Sequence, residues 1–358
     1  MKKIGILNFQ YSAHNYGAVL QAAALEYICR QLGHDPRHLD FIPRPKVTVK
    51  GGAGKLLRKM GLRKVPKAIH FANEKAFERF RQTFLTRTRP IKSRREFSGV
   101  AKCFDSVVVG SDQVWRPTFA NDIMAFFLGY VPKGVNRIAY AASFGTATWE
   151  KTDDKFLTAR VQEELLQFKA VSCREESGVE ICKNVFGVRA VHVLDPLLLV
   201  DEPFFENVVS NSSVRSRTKL VYYKLDSTPD FQEDLKVVGA ELGCDAVNIY
   251  FKDSDVPEYR EVSDWLALIR NSEVVITDSF HCICLALRFG KEVIYCPNVS
   301  RGQTRLDSLF RKLNIEVEPL SFDLKTSMWK LYGNSGVEAV LEVERKESIR
   351  FLSDAIRE

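Results

Sequence analysis

The chain has 358 residues, 45% hydrophobic and 27% charged, which is typical of a globular protein with about two domains and a soluble character. No apolar run reaches the roughly 18 residues that a membrane span needs. The apolar start is short and is broken by Asn8 and Gln10, so it predicts a first strand rather than a signal peptide. The eight cysteines show no Cys-x-x-Cys spacing and lie mostly in apolar segments. We therefore expect a cytoplasmic protein with reduced thiols and no metal site.

The positive charge is concentrated in one segment. Residues 44–95 contain 17 Lys and Arg against two Glu, a net charge of +15, so the rest of the chain carries 7 − 15 = −8. After a flexible run at 51–54, residues 55–65 alternate basic and apolar side chains at helical spacing. Such a helix can lie on anionic lipid headgroups or hold an acidic ligand, and the alternative is a solvated, mobile insertion. Nucleic acid is disfavoured, because no aromatic-studded sheet or recognition-helix motif accompanies the charge.

Strand and helix patterns alternate along the first 200 residues. Strands are predicted at 4–9, 37–42, 106–109, 137–142, 170–173 and 190–194. Helices are predicted at 16–32 (closed by Gly33), 72–84 and 153–168. Near-continuous apolar strands that alternate with helices predict a parallel sheet covered on both faces.

The pattern restarts after a polar stretch at 201–217, which predicts a linker. Strands are then predicted at 219–224, 246–250, 274–277 and 293–296, and helices at 231–242, 259–270 and 282–289. We therefore predict an α/β protein with two Rossmann-like domains facing across a cleft. The domains are residues 1–200, with the basic insertion 44–95, and residues 201–335. A last helix at 336–358 is expected to complete the first domain.

Polar residues follow the first predicted strand. Asn15 can cap the next helix, and Gly17 in its first turn would let a ligand approach the backbone closely. His14 and Tyr16 lie beside them, and we take all four as candidate substrate-binding residues. The alternative for His14 is an ordinary loop histidine. The loop is not a Gly-x-Gly-x-x-Gly motif, so no dinucleotide is inferred.

Three polar residues end the strand at 106–109, in the run GSDQVW at 110–115. Helix capping explains one of them but not three, so Asp112 is a candidate site residue and Ser111 lies next to it. Ser143 ends the following strand at the same predicted edge of the sheet and is a weaker candidate.

Arg174 follows the strand at 170–173, where an arginine can bind phosphate or carboxylate with two hydrogen bonds. The alternative is a salt bridge to Glu175 or Glu176. Asp195 precedes Pro196 and is more typical of a structural cap.

The most informative stretch is the elbow DSFH at 278–281, between an apolar strand and an apolar helix. The first N–H groups of a helix are unpaired and favour an anion, and His281 in the first turn could touch that anion or move a proton. The alternative is that Asp278 or Ser279 only caps the helix and that His281 is a core histidine.

Five short motifs occur together in one order: NYGAVLQ at 15–21, GSDQVW at 110–115, SCREES at 172–177, Asp-Pro at 195–196 and DSFH at 278–281. In this order the chain resembles the polysaccharide pyruvyl transferase family, over about residues 4–296. The resemblance implies a GT-B-like fold and transfer of pyruvate from phosphoenolpyruvate onto a sugar. The product is usually a ketal on two hydroxyls of a cell-surface glycan or its lipid-linked precursor. Neither a metal nor a nucleotide cofactor is implied.

On that resemblance, His281 contacts the donor phosphate and acts as general acid, Arg174 clamps the donor and Asp112 is the base. Many members carry arginine at the position of Ser279. Donor binding is therefore expected to use Arg174, the helix N-terminus and Arg301 or Arg305. Two alternatives stay open: a GT-B glycosyltransferase that places a nucleotide sugar in the same cleft, and a glycan-binding protein of the same fold without catalysis.

Overall fold

The computed structural model describes residues 1–42, 72–253, 255–298, 303–333 and 337–357. The predictions for residues 51–54 and 55–65 and for Arg301 lie outside the described residues.

The first sheet is parallel throughout its described strands, whose spatial order is β2-β1-β3-β4-β5-β6. The strands are β1 (Lys3–Leu7), β2 (Asp35–His38), β3 (Ser106–Val109), β4 (Asn136–Ala142), β5 (Ala170–Cys173) and β6 (Val191–His192). The helices between them are α1 (Tyr16–Gln31), α2 (Ala76–Phe84), α3 (Arg94–Ala101), α4 (Ile123–Phe126), α5 (Lys155–Leu165) and α6 (Glu176–Asn184). Strand order reverses between β1 and β3, because β2 pairs on the other side of β1.

The second sheet combines parallel and antiparallel strands. The parallel strands are β7 (Thr218–Tyr223), β8 (Ala246–Asn248), β11 (Ser272–Thr277) and β12 (Glu292–Tyr295). Two antiparallel strands at one end of the sheet, which the sequence pattern did not predict, are β13 (Ile315–Pro319) at the edge and β14 (Trp329–Gly333) beside it. A small hairpin pairs β9 (Phe251–Lys252) with β10 (Glu258–Tyr259). Strand order reverses between β7 and β11, which places a second crossover point in the fold.

The remaining helices flank the second sheet or join the two halves. They are α7 (Pro196–Leu199), α8 (Glu202–Val209), α9 (Pro229–Leu242), α10 (Val262–Arg270), α11 (Phe280–Arg288), α12 (Thr304–Lys312) and α13 (Val337–Arg357). In the described part of the chain, none of the helices combines the length and the apolar character that crossing a bilayer requires.

The predicted fold class is confirmed: the chain is an α/β protein whose two Rossmann-like sheets face a common cleft. The predicted linker at 201–217 is wrong in part, because α8 forms there. Asp201 caps this helix by accepting a hydrogen bond from the Phe204 amide, and Phe204 and Phe205 are buried. Polar capping residues and a proline are typical of loops as well as of the first turn of a helix, so this helix resembles a linker in sequence.

Several predicted boundaries shift by a few residues. The first strand ends at Leu7, and the second runs from Asp35 to His38 rather than over 37–42. The helix predicted at 259–270 begins at Val262, because the preceding residues form β10. The helix predicted at 72–84 begins at Ala76, after a bridge between Ala72 and Glu258.

The two halves share one apolar core. The ring of Tyr16 in α1 stacks on Trp265 of α10, with centroids 5.0 Å apart and planes 1° from parallel. Its hydroxyl group lies 3.1 Å from the carbonyl oxygens of both Tyr250 and Arg260, to which it donates. Buried α7 packs against α1, α11 and α13. The cleft therefore lies between two sheets that are joined through a continuous core.

The C-terminal helix α13 returns to the first sheet. Its Ser348 hydroxyl accepts a hydrogen bond from the Leu194 amide at 3.0 Å, and Phe351 packs near Tyr140. Lys2 donates to the carbonyl oxygens of Ile356 and Arg357 at the end of the helix. A cation at this position bonds to the last carbonyl groups of the helix and is attracted by the negative end of the helix dipole.

Tyr16→Phe should lower the free energy of unfolding by about 1 kcal/mol, because two partly buried carbonyl groups of the second half lose the donor that they share. Tyr16→Ala also removes the stack on Trp265 and should cost about 3–5 kcal/mol. Urea denaturation of the three proteins measures this series. Equal stability of wild type and Tyr16→Ala would contradict a shared core.

Candidate active site

The two strand-order reversals face one cavity of about 640 Å³. Ligands of open α/β sheets bind outside the carboxyl ends of strands at such points. The cavity walls come from the loop after β1 and the start of α1, the segment after β3, the loop after β7, the elbow before α11, and α12. The lining residues are Phe9, Tyr11, Ser12, Ala13, His14, Asn15, Ala18, Asp112, Gln113, Thr118, Phe119, Leu225, Asp278, Ser279, Phe280, His281 and Arg305.

A buried ionic cluster lies directly behind this cavity, and we call it the Arg174 cluster. It consists of Arg174, Asp112, Asp195, Ser111 and His281. The fully buried guanidinium of Arg174 donates to Asp195 at 3.1 Å and to Asp112 at 3.3 Å. Ser111 donates to the same Asp195 oxygen at 2.7 Å. The cluster therefore joins the ends of β3 and β5, the start of α7 and the start of α11.

The charges of the cluster stabilise one another. Burial would raise the pKa of Asp195, but the charge and hydrogen bond of His281 and the charge of Arg174 hold it well below its usual range. Burial is likewise outweighed at Asp112, whose pKa is lowered by Arg174 and then by His281. The two carboxylates in turn raise the pKa of Arg174 despite its burial. Both carboxylates are therefore ionised at neutral pH.

His281 lies between the cluster and the cavity. Its Nε2 is 3.0 Å from Nη1 of Arg174 and 3.5 Å from the Asp195 carboxylate. Arginine has no acceptor, so the shorter contact is a hydrogen bond only when Nε2 accepts, which assigns the proton of the neutral ring to Nδ1. If Nε2 carries the proton instead, it is repelled by Arg174 and can donate to Asp195. Nε2 therefore has two partners: Arg174 when it accepts and Asp195 when it donates.

Gly17 is required by the close approach of α1 to His281. A Cβ atom at this glycine would lie 2.3 Å from Nδ1 of His281, far inside van der Waals contact. Asn15 begins the helix, because its side chain accepts a hydrogen bond from the Ala18 amide at 3.1 Å. The first turns of α1 and α11, from the two halves of the chain, therefore meet at the cavity.

Asp112 has an unusual backbone conformation, with φ +86°. Its carbonyl accepts from the amides of Val114 and Ser143, and its side chain accepts from the Gln113 amide at 2.8 Å. A positive φ at a residue other than glycine typically costs about 1–3 kcal/mol. It persists where the surrounding structure fixes it, often at functional sites. In this conformation the carboxylate contacts Arg174 and lines the cavity.

The Ser143 hydroxyl bonds to a buried carboxylate and does not line the cavity. Its hydroxyl donates to Glu175 at 2.9 Å, and the same oxygen accepts from the amides of Phe144 and Gly145. Burial raises the pKa of Glu175 above its usual range. The alternative considered for Arg174, a salt bridge to Glu175 or Glu176, is not formed: Arg174 pairs with Asp112 and Asp195, and Glu176 pairs with Arg311.

At the elbow, Asp278 and Ser279 have local structural partners. Asp278 accepts from the Leu225 amide at 2.9 Å and from the ammonium group of Lys224 at 2.8 Å. Ser279 is the N-cap of α11, 3.5 Å from the Cys282 amide. Both residues also line the cavity, so capping and cavity contact coexist here.

The structure brings together part of the predicted site. The predicted residues that line the cavity are His14, Asn15, Asp112, Asp278, Ser279 and His281. Tyr16 is buried between the two halves, and Gly17 packs on His281. Ser111 and Arg174 lie behind the cavity wall, in the Arg174 cluster. Arg174 is therefore placed to hold Asp112, Asp195 and His281 rather than to reach a ligand directly.

The predicted cap at Asp195 is confirmed, because its side chain accepts a hydrogen bond from the Leu197 amide at 3.0 Å at the start of α7. Its second contact, with Arg174, and the aromatic part of the cavity wall were not predicted from the sequence. Arg305 of α12 was only one of two arginines considered. Among the residues that the structure describes, Arg305 is the only lysine or arginine that lines the cavity. Burial and then the charge of Arg174 lower its pKa to about 10, so it remains a cation at neutral pH. Its guanidinium lies 5.6 Å from the ring of Phe280, and that of Arg174 lies 4.5 Å from the same ring.

A model of the family described as polysaccharide pyruvyl transferase matches residues 15–300. The chain belongs to this family. The match spans all five motifs, from Asn15 to the elbow at His281.

The solved structures that resemble this chain in fold share little sequence with it. UDP-GlcNAc 2-epimerase from Neisseria meningitidis bound to UDP-GlcNAc has 12% identity and a TM-score of 0.45, covering 99% of this chain and 94% of that one. MnaA of S. aureus with UDP has 11% identity and a TM-score of 0.48, covering 99% and 91%. The glycosyltransferase SsfS6 of Streptomyces sp. SF2575 has 14% identity and a TM-score of 0.40, covering 99% and 96%. A search of curated proteins found no significant match.

Gly17→Ala should lower the free energy of unfolding by about 1–3 kcal/mol, because the methyl group displaces either His281 or α1. Gly99→Ala in α3 is the matched control: no atom lies within 4 Å of its added Cβ. That substitution should be neutral or stabilising by up to about 1 kcal/mol. Urea denaturation measures both. If the two variants have the same stability, the contact between α1 and His281 is not tight.

Proposed function

We propose that the protein transfers pyruvate from phosphoenolpyruvate onto hydroxyl groups of a sugar, in a cell-surface glycan or its lipid-linked precursor, and forms a ketal. One observation carries the proposal: a single cavity presents a cation, a histidine and an ionised carboxylate from both halves of the chain. These are Arg305, His281 and Asp112. Membership of the polysaccharide pyruvyl transferase family supports the same reaction.

The donor carries a phosphate and a carboxylate, so its site needs cationic and N–H donors. Arg305 lines the cavity, and the N-termini of α1 and α11 lie at the same cavity, where helix dipoles favour anions. We assign the donor anion to Arg305 and the start of α11. Arg174 then acts indirectly, by keeping Asp112 and Asp195 ionised and by holding Nε2 of His281.

The reaction divides between an acid and a base. A proton is added to the methylene carbon of phosphoenolpyruvate, which makes the adjacent carbon electrophilic, and a sugar hydroxyl oxygen bonds to that carbon. The carbon–oxygen bond to phosphate breaks with its electron pair on phosphate, and a second hydroxyl oxygen takes its place. Of the two hydroxyl protons lost, one balances the new methyl group and the other leaves with phosphate. His281 is our candidate acid and Asp112 our candidate base.

A lipid-linked acceptor would place the protein at the inner face of the cell membrane. Within the basic segment, the described side chains of Arg89, Lys92 and Arg95 are exposed. Cations near a surface of anionic lipids each contribute about 1 kcal/mol of attraction. We propose peripheral contact with anionic membrane through this segment, and no nucleic-acid partner.

The reaction is tested by phosphate release from phosphoenolpyruvate with a pool of glycan acceptors. Arg305→Met should reduce kcat/KM by about 100-fold, through loss of a buried charge-assisted contact of about 2–3 kcal/mol. Arg311→Met is the matched control on the same helix, because Arg311 is exposed and pairs with Glu176. It should stay within about twofold of wild type.

His281→Ala should abolish phosphate release in the same assay, because the candidate acid is lost. Undiminished turnover would remove this residue from the chemistry.

The nucleotide-sugar alternative gives a different result in the same preparation. Stabilisation of the protein against heat by UDP or GDP sugars, with none by phosphoenolpyruvate and no phosphate release, would overturn the proposal. Acceptor binding without any turnover would indicate a glycan-binding protein.

Membrane contact is tested by co-sedimentation with phosphatidylserine-containing vesicles. We expect retention at low salt that falls steeply as ionic strength rises, because exposed charges are screened. Combined substitution of Arg89→Glu, Lys92→Glu and Arg95→Glu should weaken the retention at low salt, and phosphatidylcholine vesicles serve as control. Equal retention on both lipids would argue against an electrostatic contact.

A further inference from the structure

We propose that the first-domain wall of the cavity is an acceptor subsite that binds an uncharged sugar ring against aromatic side chains. The wall consists of Phe9, Tyr11 and Phe119 together with the polar groups beside them. The role as acceptor site rests on the proposed pyruvyl transfer, whereas binding of a sugar depends only on the side chains of the wall.

The aromatic rings are positioned by their neighbours. Phe9 packs edge-on against buried Phe126, with centroids 5.0 Å apart, and Tyr11 lies 6.0 Å from Phe9. Phe119 is 45% exposed although it is a large apolar side chain, and the guanidinium of Arg116 covers its ring at 4.3 Å. The negative face of an aromatic ring attracts the C–H groups on the face of a sugar. An exposed, supported phenylalanine at a cavity is therefore suited to stack on a sugar.

Glu150 fixes the segment that carries Phe119. Its carboxylate accepts from Nε of Arg116 at 2.7 Å, from the Thr118 amide at 3.2 Å and from the Thr118 hydroxyl at 2.9 Å. These bonds lower the pKa of Glu150 despite its partial burial. Arg116 also donates to the side-chain oxygen of Gln113 at 3.0 Å. The platform is thus preorganised, which limits the entropy that ligand binding must overcome.

The charges along the cavity favour an uncharged ring on this wall. Asp112 is an ionised carboxylate of the first half, and the cation Arg305 on α12 lies close enough to lower its pKa further. The guanidinium of Arg116 beside Phe119 is already paired with Glu150. A uronic acid stacked there would therefore bring its negative charge toward two carboxylates, those of Glu150 and Asp112. A neutral sugar avoids that repulsion and can offer its hydroxyl groups to Asp112, Gln113 and His14. The same carboxylate is then close to the hydroxyl that it is proposed to deprotonate.

Saturation-transfer NMR tests the subsite with methyl β-D-glucopyranoside and methyl β-D-galactopyranoside as uncharged probes and methyl β-D-glucuronide as the charged probe. At least one uncharged probe should receive saturation on its ring protons, and the glucuronide should receive about fivefold less. Phe119→Ala should reduce the signal of the uncharged probe about fivefold, the order expected for one aromatic contact. Phe119→Tyr should retain it. Phe156→Ala is the matched control, because Phe156 is 74% exposed on α5 and outside the cavity.

No transfer to either uncharged probe, equal signals from Phe119→Ala and Phe156→Ala, or a stronger signal from the glucuronide would overturn the proposal. Phosphate release, measured on the same proteins, separates this failure from failure of the proposed function. Turnover of phosphoenolpyruvate with sugar binding that ignores Phe119 removes only the subsite. Sugar binding through Phe119 without any turnover removes the donor reaction and leaves the subsite in place.

Discussion

The burial of one positive charge, on Arg174, determines how the site is assembled. Its guanidinium is inaccessible to solvent and is held by Asp112, Asp195 and the ring of Phe280. Removing one partner from such a group leaves uncompensated buried charge, which typically costs about 3–5 kcal/mol. Since the carboxylates follow strands of the first sheet and Phe280 begins α11 of the second, this side chain ties the two halves together at the cavity.

Apolar packing beside the Arg174 cluster fixes the same geometry. Tyr16 stacks on Trp265 while the next residue, Gly17, lies against His281. Two neighbouring positions of α1 thus anchor the first half to the second by ring stacking and by close approach. The starts of α1 and α11 are consequently held at one cavity before any ligand arrives. A preorganised arrangement of this kind loses little free energy to reordering when charge develops during a reaction.

Features of the site that depend on local sequence could be predicted, and those that depend on distant partners could not. The Asn15 cap and the start of the helix after Ser279 follow from adjacent residues. The burial of Arg174 does not, because its contacts to Asp112 and His281 span 62 and 107 residues. The irregularity in β4 is similar: the Ser172 hydroxyl bonds to Ala139 and Ala141, more than 30 residues away. The sequence of β4 alone carries no sign of this bulge.

Ser279, at the position where the family resemblance led us to expect an arginine, fits the charge balance of this site. Arg174 and Arg305 already lie within 6 Å of the Phe280 ring, and burial and their mutual repulsion lower the pKa of Arg305 to about 10. A third guanidinium at the elbow would add repulsion in a region where solvent screens little. Ser279 instead supplies the helix cap and leaves the cavity-facing charge to Arg305 on α12. The cation that we propose for an anionic donor therefore comes from α12, whereas the histidine lies at the start of α11.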